Sequence, residues 1–227
     1  MTAELVKLQA SPDLVDQVYR ALLDAISDGS LAPGVRITQE DLAERLAVSR
    51  QPVLQALRLL KKDGLVHDAP GRGLLVAPLD AGWIAHVYEV RGALDALAAK
   101  LAAAKRAVID PRLLETGRRA ARGRNIKAMI EADIAFHHAI YAACGNPLVE
   151  RSAQLHWVHL RRVMGAVLQQ TRQRDKIWDE HAAIAEAIRA GNASRAVELI
   201  EHHGRNASEN LLARLSDVLK PPIQEQR

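Results

Sequence analysis

Between Thr38 and Val76, the apolar positions follow a helical spacing twice and a strand spacing afterwards. Two predicted helices each have one apolar face, formed by Leu42, Ala43 and Leu46 in the first and by Val53, Ala56, Leu57 and Leu60 in the second. Thr38 and Ser49 precede these helices and can cap them, and Gly64 can end the second one. Short apolar runs around a glycine-rich turn then predict a β-hairpin, with strands at Leu65-Val66 and Leu74-Leu75-Val76.

A helix-turn-helix followed by a β-hairpin is typical of winged DNA-binding domains, whose second helix enters the major groove. The local charge supports this interpretation, because the segment from Arg45 to Lys62 contains five basic residues and no acidic one, and Arg72 lies at the wing tip. Residues 1–79 as a whole hold nine basic and ten acidic residues, so the indication comes from the basic stripe and not from net charge.

The remaining pattern predicts a mainly α-helical protein with two domains. A helix from Pro12 to Asp28, after a frayed arm at 1–10, and a short extended piece after Pro33-Gly34 complete the winged domain at 1–79. No strand pattern appears after Asp80, which can cap the next helix. The domain at 80–227 is predicted to be an antiparallel six-helix bundle with a disordered tail at 223–227. Its helices are expected at about 81–105, 111–122, 125–143, 147–170, 174–190 and 193–218.

Composition narrows the class of protein. Of the 227 residues, 48% are hydrophobic but only 3% are aromatic, so the core must be built from Ala, Leu, Ile and Val, as suits close helix packing. The single cysteine, Cys144, excludes an internal disulfide and fits a reducing cytoplasm. Neither a signal peptide nor a membrane-spanning segment is expected, because no long apolar run is present.

The predicted bundle also contains candidate metal ligands. Asp133 and His137 are four residues apart, so they share one helix face, while His181 lies on the fifth helix and His202 and His203 lie on the sixth. One carboxylate and three imidazoles suit Zn²⁺, Ni²⁺, Mn²⁺ or Fe²⁺. The alternative is that these are ordinary core or surface histidines, and spacing alone does not choose between His202 and His203.

Several segments of the N-terminal half carry a family resemblance. They are Pro33-Gly34, LAERLAVSRQPV at 42–53, ALRLL at 56–60, Gly64-Leu65-Val66 and Gly71-Arg72-Gly73. With these segments the chain resembles the GntR superfamily of bacterial transcription regulators, in the FadR-type branch with an all-helical C-terminal domain. The resemblance extends over nearly the whole chain and implies a DNA-binding regulator.

The C-terminal half matches the effector-binding domain of that branch. The matching residues are Arg91 with Leu94 and Asp95, Asp133 with Phe136 and His137, Gly145-Asn146, and Glu180-His181 followed by His203. The resemblance implies that Asp133, His137, His181 and His203, rather than His202, bind zinc or nickel. It also implies a neighbouring pocket for a small carboxylate, and we expect Arg91 and Asn146 to bind that ligand.

The predicted DNA contacts depart from the family pattern at two positions. Leu54 and Gln55 stand where the family usually has Arg and Glu, and a leucine can contact a thymine methyl group but cannot bond guanine. We therefore expect an unusual operator preference. The expected base-reading residues are Arg50, Gln51 and Gln55, while Arg45, Ser49 and Arg72 suit phosphates and Gly73 completes the wing tip.

The function expected from these features is a ligand-responsive repressor that binds double-stranded operator DNA as a homodimer. A homodimer is expected because one recognition helix reads only half of a two-fold site. Two other classes remain as alternatives, a metal-dependent enzyme and a non-specific architectural DNA binder. Against the enzyme, the chain has no His-Glu-x-x-His motif and no nucleophile elbow.

Overall fold

The computed structural model describes residues 14–168 and 175–219 of the chain. The described residues pack as two compact units, of which one contains residues 14–26 and 30–78 and the other contains residues 27–29 and those from 79 onward. The mainly helical fold class with an N-terminal winged helix-turn-helix is confirmed. No helix within the described ranges is both long enough and apolar enough to cross a membrane.

The first unit is a winged helix-turn-helix. Its elements are α1 (Leu14–Ser27), β1 (Arg36–Ile37), α2 (Gln39–Arg45), α3 (Arg50–Lys62), β2 (Val66–Asp68) and β3 (Leu74–Val76). The three strands are antiparallel in the order β1-β3-β2, with Leu75 opposite Arg36 on one side and His67 on the other. The sequence predicts that this helix begins at Pro12, but Pro12 and the predicted arm at 1–10 lie outside the described residues.

Two local predictions in this unit need correction. Leu65 is not part of β2, because its amide donates to the Leu60 carbonyl at 2.9 Å after Gly64 turns the chain at φ 72°. That hydrogen bond closes the end of α3, so the strand starts one residue later. Ser49 occupies the N-cap position of α3, but its side chain makes no capping hydrogen bond, whereas Thr38 accepts one from the Asp41 amide as predicted.

The second unit contains six helices within its described residues. They are α4 (Ala81–Ala104), α5 (Pro111–Arg122), α6 (Ile126–Cys144), α7 (Pro147–Val167), α8 (Asp175–Ala190) and α9 (Ala193–Val218). These bounds lie within a few residues of the predicted ones; residues 169, 170 and 174 and the predicted tail fall outside the described ranges. At the start of five of these helices a side-chain oxygen accepts a first-turn amide, from Asp80, Asp110, Asn125, Asn146 and Asn192.

Helix α4 is the centre of this unit, because it contacts α6, α7, α8 and α9. Small residues make that position possible, since Ala98, Ala99, Ala102 and Ala103 are fully buried on α4. Around them lie the larger buried side chains of the other helices, including Phe136, Tyr141 and Leu160. The core is therefore filled mainly by aliphatic side chains and alanines, as the low aromatic content predicted.

A tight contact between α5 and α8 gives a stability prediction. Gly117 lies so close to the buried ring of Trp178 that an added Cβ would be 2.0 Å from a ring carbon. Overpacking by Gly117→Ala should lower the free energy of unfolding by about 1–3 kcal/mol. The higher helix propensity of alanine should offset about 1 kcal/mol of that loss. Urea denaturation followed by circular dichroism measures this change.

Gly204→Ala is the matched control for that substitution. Gly204 is also inside a helix, but a Cβ there would meet no atom within 4 Å. We expect this variant to gain up to about 1 kcal/mol from helix propensity alone. Equal gains in both variants would show that Trp178 moves aside without cost.

Candidate functional site

Helix α3 offers a polar face for DNA on the side opposite its buried apolar face. Pro52, Val53 and Ala56 are buried against the rest of the unit, while Arg50 and Gln51 are exposed and Gln55 is half-buried. Arg45, Ser49, Arg72 and Gly73 are exposed as well. All seven predicted DNA-contact residues therefore retain surface that a duplex could reach.

The N-terminus of α3 is held by α2. The side-chain amide of Gln39 donates to the Arg50 carbonyl at 2.7 Å, and the Arg50 guanidinium lies 3.3 Å from the Glu40 carboxylate. Arg45 and Lys61 also face acidic residues, Asp41 at 3.5 Å and Asp68 at 2.6 Å. These exposed pairs are worth only about 0–1 kcal/mol each, so phosphates or base edges can replace the carboxylates.

The wing is positioned by Arg36, a residue that the sequence did not single out. Its guanidinium donates to the carbonyls of Arg72 at 2.5 Å and Pro70 at 2.9 Å, which ties the hairpin loop to β1. Gly73 has a structural role in this loop, because its φ is 89° and an added Cβ would be 2.7 Å from the Ile37 carbonyl oxygen. The wing tip therefore presents Arg72 on a fixed backbone.

The second unit brings the four candidate metal ligands together from α6, α8 and α9. One ligand atom from each of Asp133, His137, His181 and His203 lies within 4.8 Å of the others. The His181 Nε2 atom is 3.3 Å from His203 Nε2 and 3.4 Å from Asp133 Oδ1. The three imidazoles are buried, and the Asp133 side chain is 13% exposed. His202 instead lies on the exposed side of α9.

The chemistry of this cluster fits a divalent cation. Burial first, and nearby positive charge second, hold the pKa of His137 and of His181 well below the usual range, so both imidazoles are neutral and can offer a lone pair. Burial raises the pKa of Asp133, with His203 and Arg91 opposing. Asp133 Oδ1 has no hydrogen-bond partner among the described residues. Since an orphaned buried carboxylate oxygen is costly, a bound cation would compensate it.

Glu180 fixes the orientation of one ligand. Its Oε2 accepts a hydrogen bond from His203 Nδ1 at 2.8 Å, which leaves the Nε2 lone pair directed at the cluster. Asn206 donates to the other carboxylate oxygen at 3.3 Å. The hydrogen bond from His203 is the main reason that the pKa of Glu180 is lowered. Glu180 belongs to the Glu180-His181 pair of the family resemblance, but no role was predicted for it.

Arg91 lies beside the cluster in a buried polar network. Its Nη2 atom is 3.0 Å from His137 Nε2 and 3.1 Å from Asp95 Oδ2, and its guanidinium lies 4.0 Å from the centre of the Trp157 ring. Tyr141 donates to Asp95 at 2.5 Å. Burial alone would lower the pKa of Arg91, but Asp95 and Tyr141 raise it on balance, so the guanidinium stays charged. Asp95, one turn after Arg91 on α4, together with Tyr141 and Trp157 holds the guanidinium in place. The contacts of Tyr141 and Trp157 come from other helices and had no signal in the spacing.

A cavity of about 640 Å³ opens next to these residues. Its polar wall contains Arg91, Asp133, Lys176, Glu180, His203, Asn206, Asn210 and Arg214, and its apolar wall contains Tyr88, Met129, Met164, Leu168, Ile177, Trp178 and Leu211. This volume lies in the usual range for small-molecule sites. Asp133 and His203, two of the four candidate metal ligands, thus line a cavity that has both cationic and apolar walls.

Asn146 does not line this cavity. Its side-chain oxygen accepts the Leu148 amide at 3.1 Å, so it caps α7, and its own amide donates to Cys144 Sγ. The Gly-Asn pair that suggested a ligand contact is explained by Gly145, which ends α6 at φ 72°, and by the cap that starts α7. The structure gives Asn146 a local role at the turn between these helices.

Comparisons with known proteins find a matching family model for each of the two units. Residues 14–76 match the family described as bacterial regulatory proteins, gntR family, and residues 86–206 match the FCD domain. The HTH-type transcriptional regulator LutR of Bacillus subtilis is 31% identical over 220 residues, covering 82% of this chain and 95% of LutR. YdhC of the same organism, also an HTH-type transcriptional regulator, is 27% identical and covers 86% of this chain and 89% of YdhC.

Solved structures are similar over most of the chain. Escherichia coli McbR/YncC superposes with a TM-score of 0.77 at 21% identity, covering 91% of this chain and all of that one, which shows a shared fold. A putative GntR transcriptional regulator from Rhodococcus sp. RHA1 has a TM-score of 0.72 at 26% identity and covers 88% of this chain and 97% of its own.

Proposed function

Because this chain belongs to the GntR family of bacterial regulatory proteins, in the branch with an FCD domain, we propose that it is a repressor released from operator DNA by a small organic acid bound beside a metal ion. Its family and its relatives are transcription regulators and not enzymes. This argues against the alternative of a metal-dependent enzyme. The protein would act in the cytoplasm, where its DNA target lies.

The observation that carries the proposal is the convergence of Asp133, His137, His181 and His203. Two of them, Asp133 and His203, line the cavity. Three imidazoles and one carboxylate suit zinc or nickel. The bound ion would act as a Lewis acid and would be coordinated by a carboxylate oxygen of the effector. Arg91 would hold further effector oxygens, since a guanidinium binds a carboxylate with two parallel hydrogen bonds.

The route from effector to DNA follows from the helices that build the cavity. Its wall residues belong to α4, α5, α6, α8 and α9 and to the end of α7, so a ligand touching several of them stabilises one arrangement of the bundle. A ligand shifts an equilibrium only by its difference in affinity for the two states. We therefore propose that the effector binds more tightly to an arrangement in which the two DNA-reading heads of a homodimer no longer match a two-fold operator.

A thermal-shift screen of small carboxylates tests the effector class. The protein is loaded with zinc or nickel, and a carboxylate that binds the folded state is expected to stabilise it by roughly 2.7 kcal/mol at a concentration 100 times its Kd. The matched controls are the same protein after chelation and the uncharged amide of each active acid. A screen without any stabilising acid, or shifts that survive chelation and amidation, would overturn the proposal.

A further inference from the structure

The cavity beside the metal cluster extends along one face of α9. The residues His203, Asn206, Asn210 and Arg214 line it, and their spacing of three, four and four residues keeps them on a single helix face. We call these four residues the α9 row. At a rise of 1.5 Å per residue, the α9 row runs about 16 Å from the metal cluster at His203 to Arg214. A carboxylate bound to the metal and to Arg91 would occupy only the first end of this length.

Helix α8 borders the same cavity and runs in the opposite direction. Only two residues separate α8 from α9, so these contacting helices are antiparallel. Glu180 lies opposite His203, with 2.8 Å between their hydrogen-bonded atoms. Lys176, one turn before Glu180, also lines the cavity and therefore lies further along the α9 row, toward Arg214. Two cationic side chains thus line the end of the cavity that is remote from the metal cluster.

The two ends of the cavity differ in charge and in burial. Among the described residues that line it, the acidic ones are Asp133 and Glu180, and both belong to the metal end. His203 is buried at that end, whereas Arg214 is half-buried and Lys176 is exposed at the other. The metal end is therefore the inner end of the cavity, and the cationic end lies nearer to the solvent.

The stretch between the two ends has an apolar wall. Leu211 and Trp178 lie between the ends on α9 and α8, and both are buried. Met129 and Met164 line the cavity as well, and they are two of the three methionines in the chain. Methionine side chains adapt to the shape of an apolar ligand, and an indole ring offers a rigid apolar surface. A short polar acid would leave this wall against water, whereas an apolar chain would bury it.

We propose that the effector is an elongated acid with two anionic ends joined by an apolar chain. One carboxylate binds the metal and Arg91, as in the proposed function on which this inference rests, and the apolar chain lies along Leu211 and Trp178. The second anionic group binds Arg214 and Lys176, since cationic side chains pair with anions through charge-assisted hydrogen bonds. Side chains on a helix lean toward its N-terminus, so the two anionic groups should be roughly 10 Å apart.

Titration calorimetry of the full-length, zinc-loaded protein with straight-chain diacids tests the proposal. The series runs from succinate through adipate and suberate to sebacate, whose carboxylates are about 11 Å apart in an extended chain. Sebacate is expected to bind at least about 10-fold more tightly than succinate, because its chain buries the apolar wall and its second carboxylate reaches Arg214. Decanoate has the same length but only one carboxylate, and it should bind roughly 5-fold more weakly than sebacate.

Arg214→Gln and Lys176→Gln each remove one charge from the outer end of the cavity. Each variant is expected to bind sebacate roughly 5-fold more weakly than the parent and to bind decanoate unchanged, because decanoate has no anion at that end. The matched control is Arg205→Gln, since Arg205 is exposed on α9 but does not line the cavity. This control should leave both affinities unchanged, and circular dichroism checks that all three variants fold.

The outcomes separate this inference from the proposed function. If succinate binds the zinc-loaded protein as tightly as sebacate, the elongated effector is overturned while an acid bound at the metal stands. If decanoate binds as tightly as sebacate, or if both glutamine variants bind sebacate like the parent, the second anionic contact is overturned. If sebacate binds equally well after chelation and Arg214→Gln still weakens it, the outer contact is supported and the proposed role of the metal is overturned.

Discussion

His137→Ala is expected to remove most of the metal from the protein. One ligand of four is lost, and because even the outer partners of metal ligands are worth about 10–100-fold in affinity, the loss of a direct ligand should exceed that range. Elemental analysis of protein loaded with zinc or nickel and then dialysed should find about one ion per chain in the parent and far less in the variant. Operator binding without effector should persist, since the four proposed ligands lie on α6, α8 and α9 and not on the helices of the winged unit.

His202→Ala is the matched control for this experiment. His202 is adjacent to the proposed ligand His203, but it is exposed and its Nε2 atom faces Asn206 at 3.1 Å. The control should keep its metal and its response to effector. A parent that binds less than about a tenth of an equivalent, or equal metal contents in the parent and His137→Ala, would contradict the assignment of the site.

Arg50→Ala is expected to abolish the preference for operator over random DNA while the bundle stays folded. Arg50 lies in the first turn of α3, where side chains of a recognition helix reach base edges. Loss of a two-hydrogen-bond base contact costs about 1–3 kcal/mol, or roughly 5–150-fold in affinity. The exposed ion pair with Glu40 is worth at most about 1 kcal/mol, so it does not keep Arg50 from the DNA.

The comparison for Arg50→Ala is Arg20→Ala on α1, which removes another exposed arginine that pairs with an acid. Both variants are titrated at one salt concentration onto an operator selected from a random duplex pool, with random duplex as competitor. Only Arg50→Ala should lose specificity. Equal affinity of Arg50→Ala and the parent would refute the role of this residue, and a parent without preference for the selected site would favour the architectural class of DNA binder.

Much of the fold could be predicted because its signals are local. Caps such as Thr38 and Asp80 act within one turn, so their residue types mark helix starts that the structure contains. The predictions were wrong at two positions where the residue type was compatible with more than one hydrogen-bonding pattern. Ser49 stands at a helix start without making the capping bond, and the Leu65 amide closes α3 instead of joining the strand.

The candidate site was predictable only in part. The spacing of Asp133 and His137 places both on one face of α6, but convergence with His181 and His203 depends on how three helices pack. Neighbouring helical residues point about 100° apart, so the choice of His203 over His202 came from the resemblance and not from spacing. The hydrogen bond from His203 to Glu180 spans 23 positions and leaves no periodic signal.

The measurement that tests the account most directly is operator affinity under four conditions, with and without metal and with and without the acid that gives the largest thermal shift. Fluorescence anisotropy of a labelled operator reports the dissociation constant in each. If the acid bound beside the metal controls operator affinity, it should weaken operator binding by about 5–150-fold in metal-loaded protein. It should leave the dissociation constant of the chelated protein unchanged. The same weakening without metal, or no weakening with it, would contradict the account.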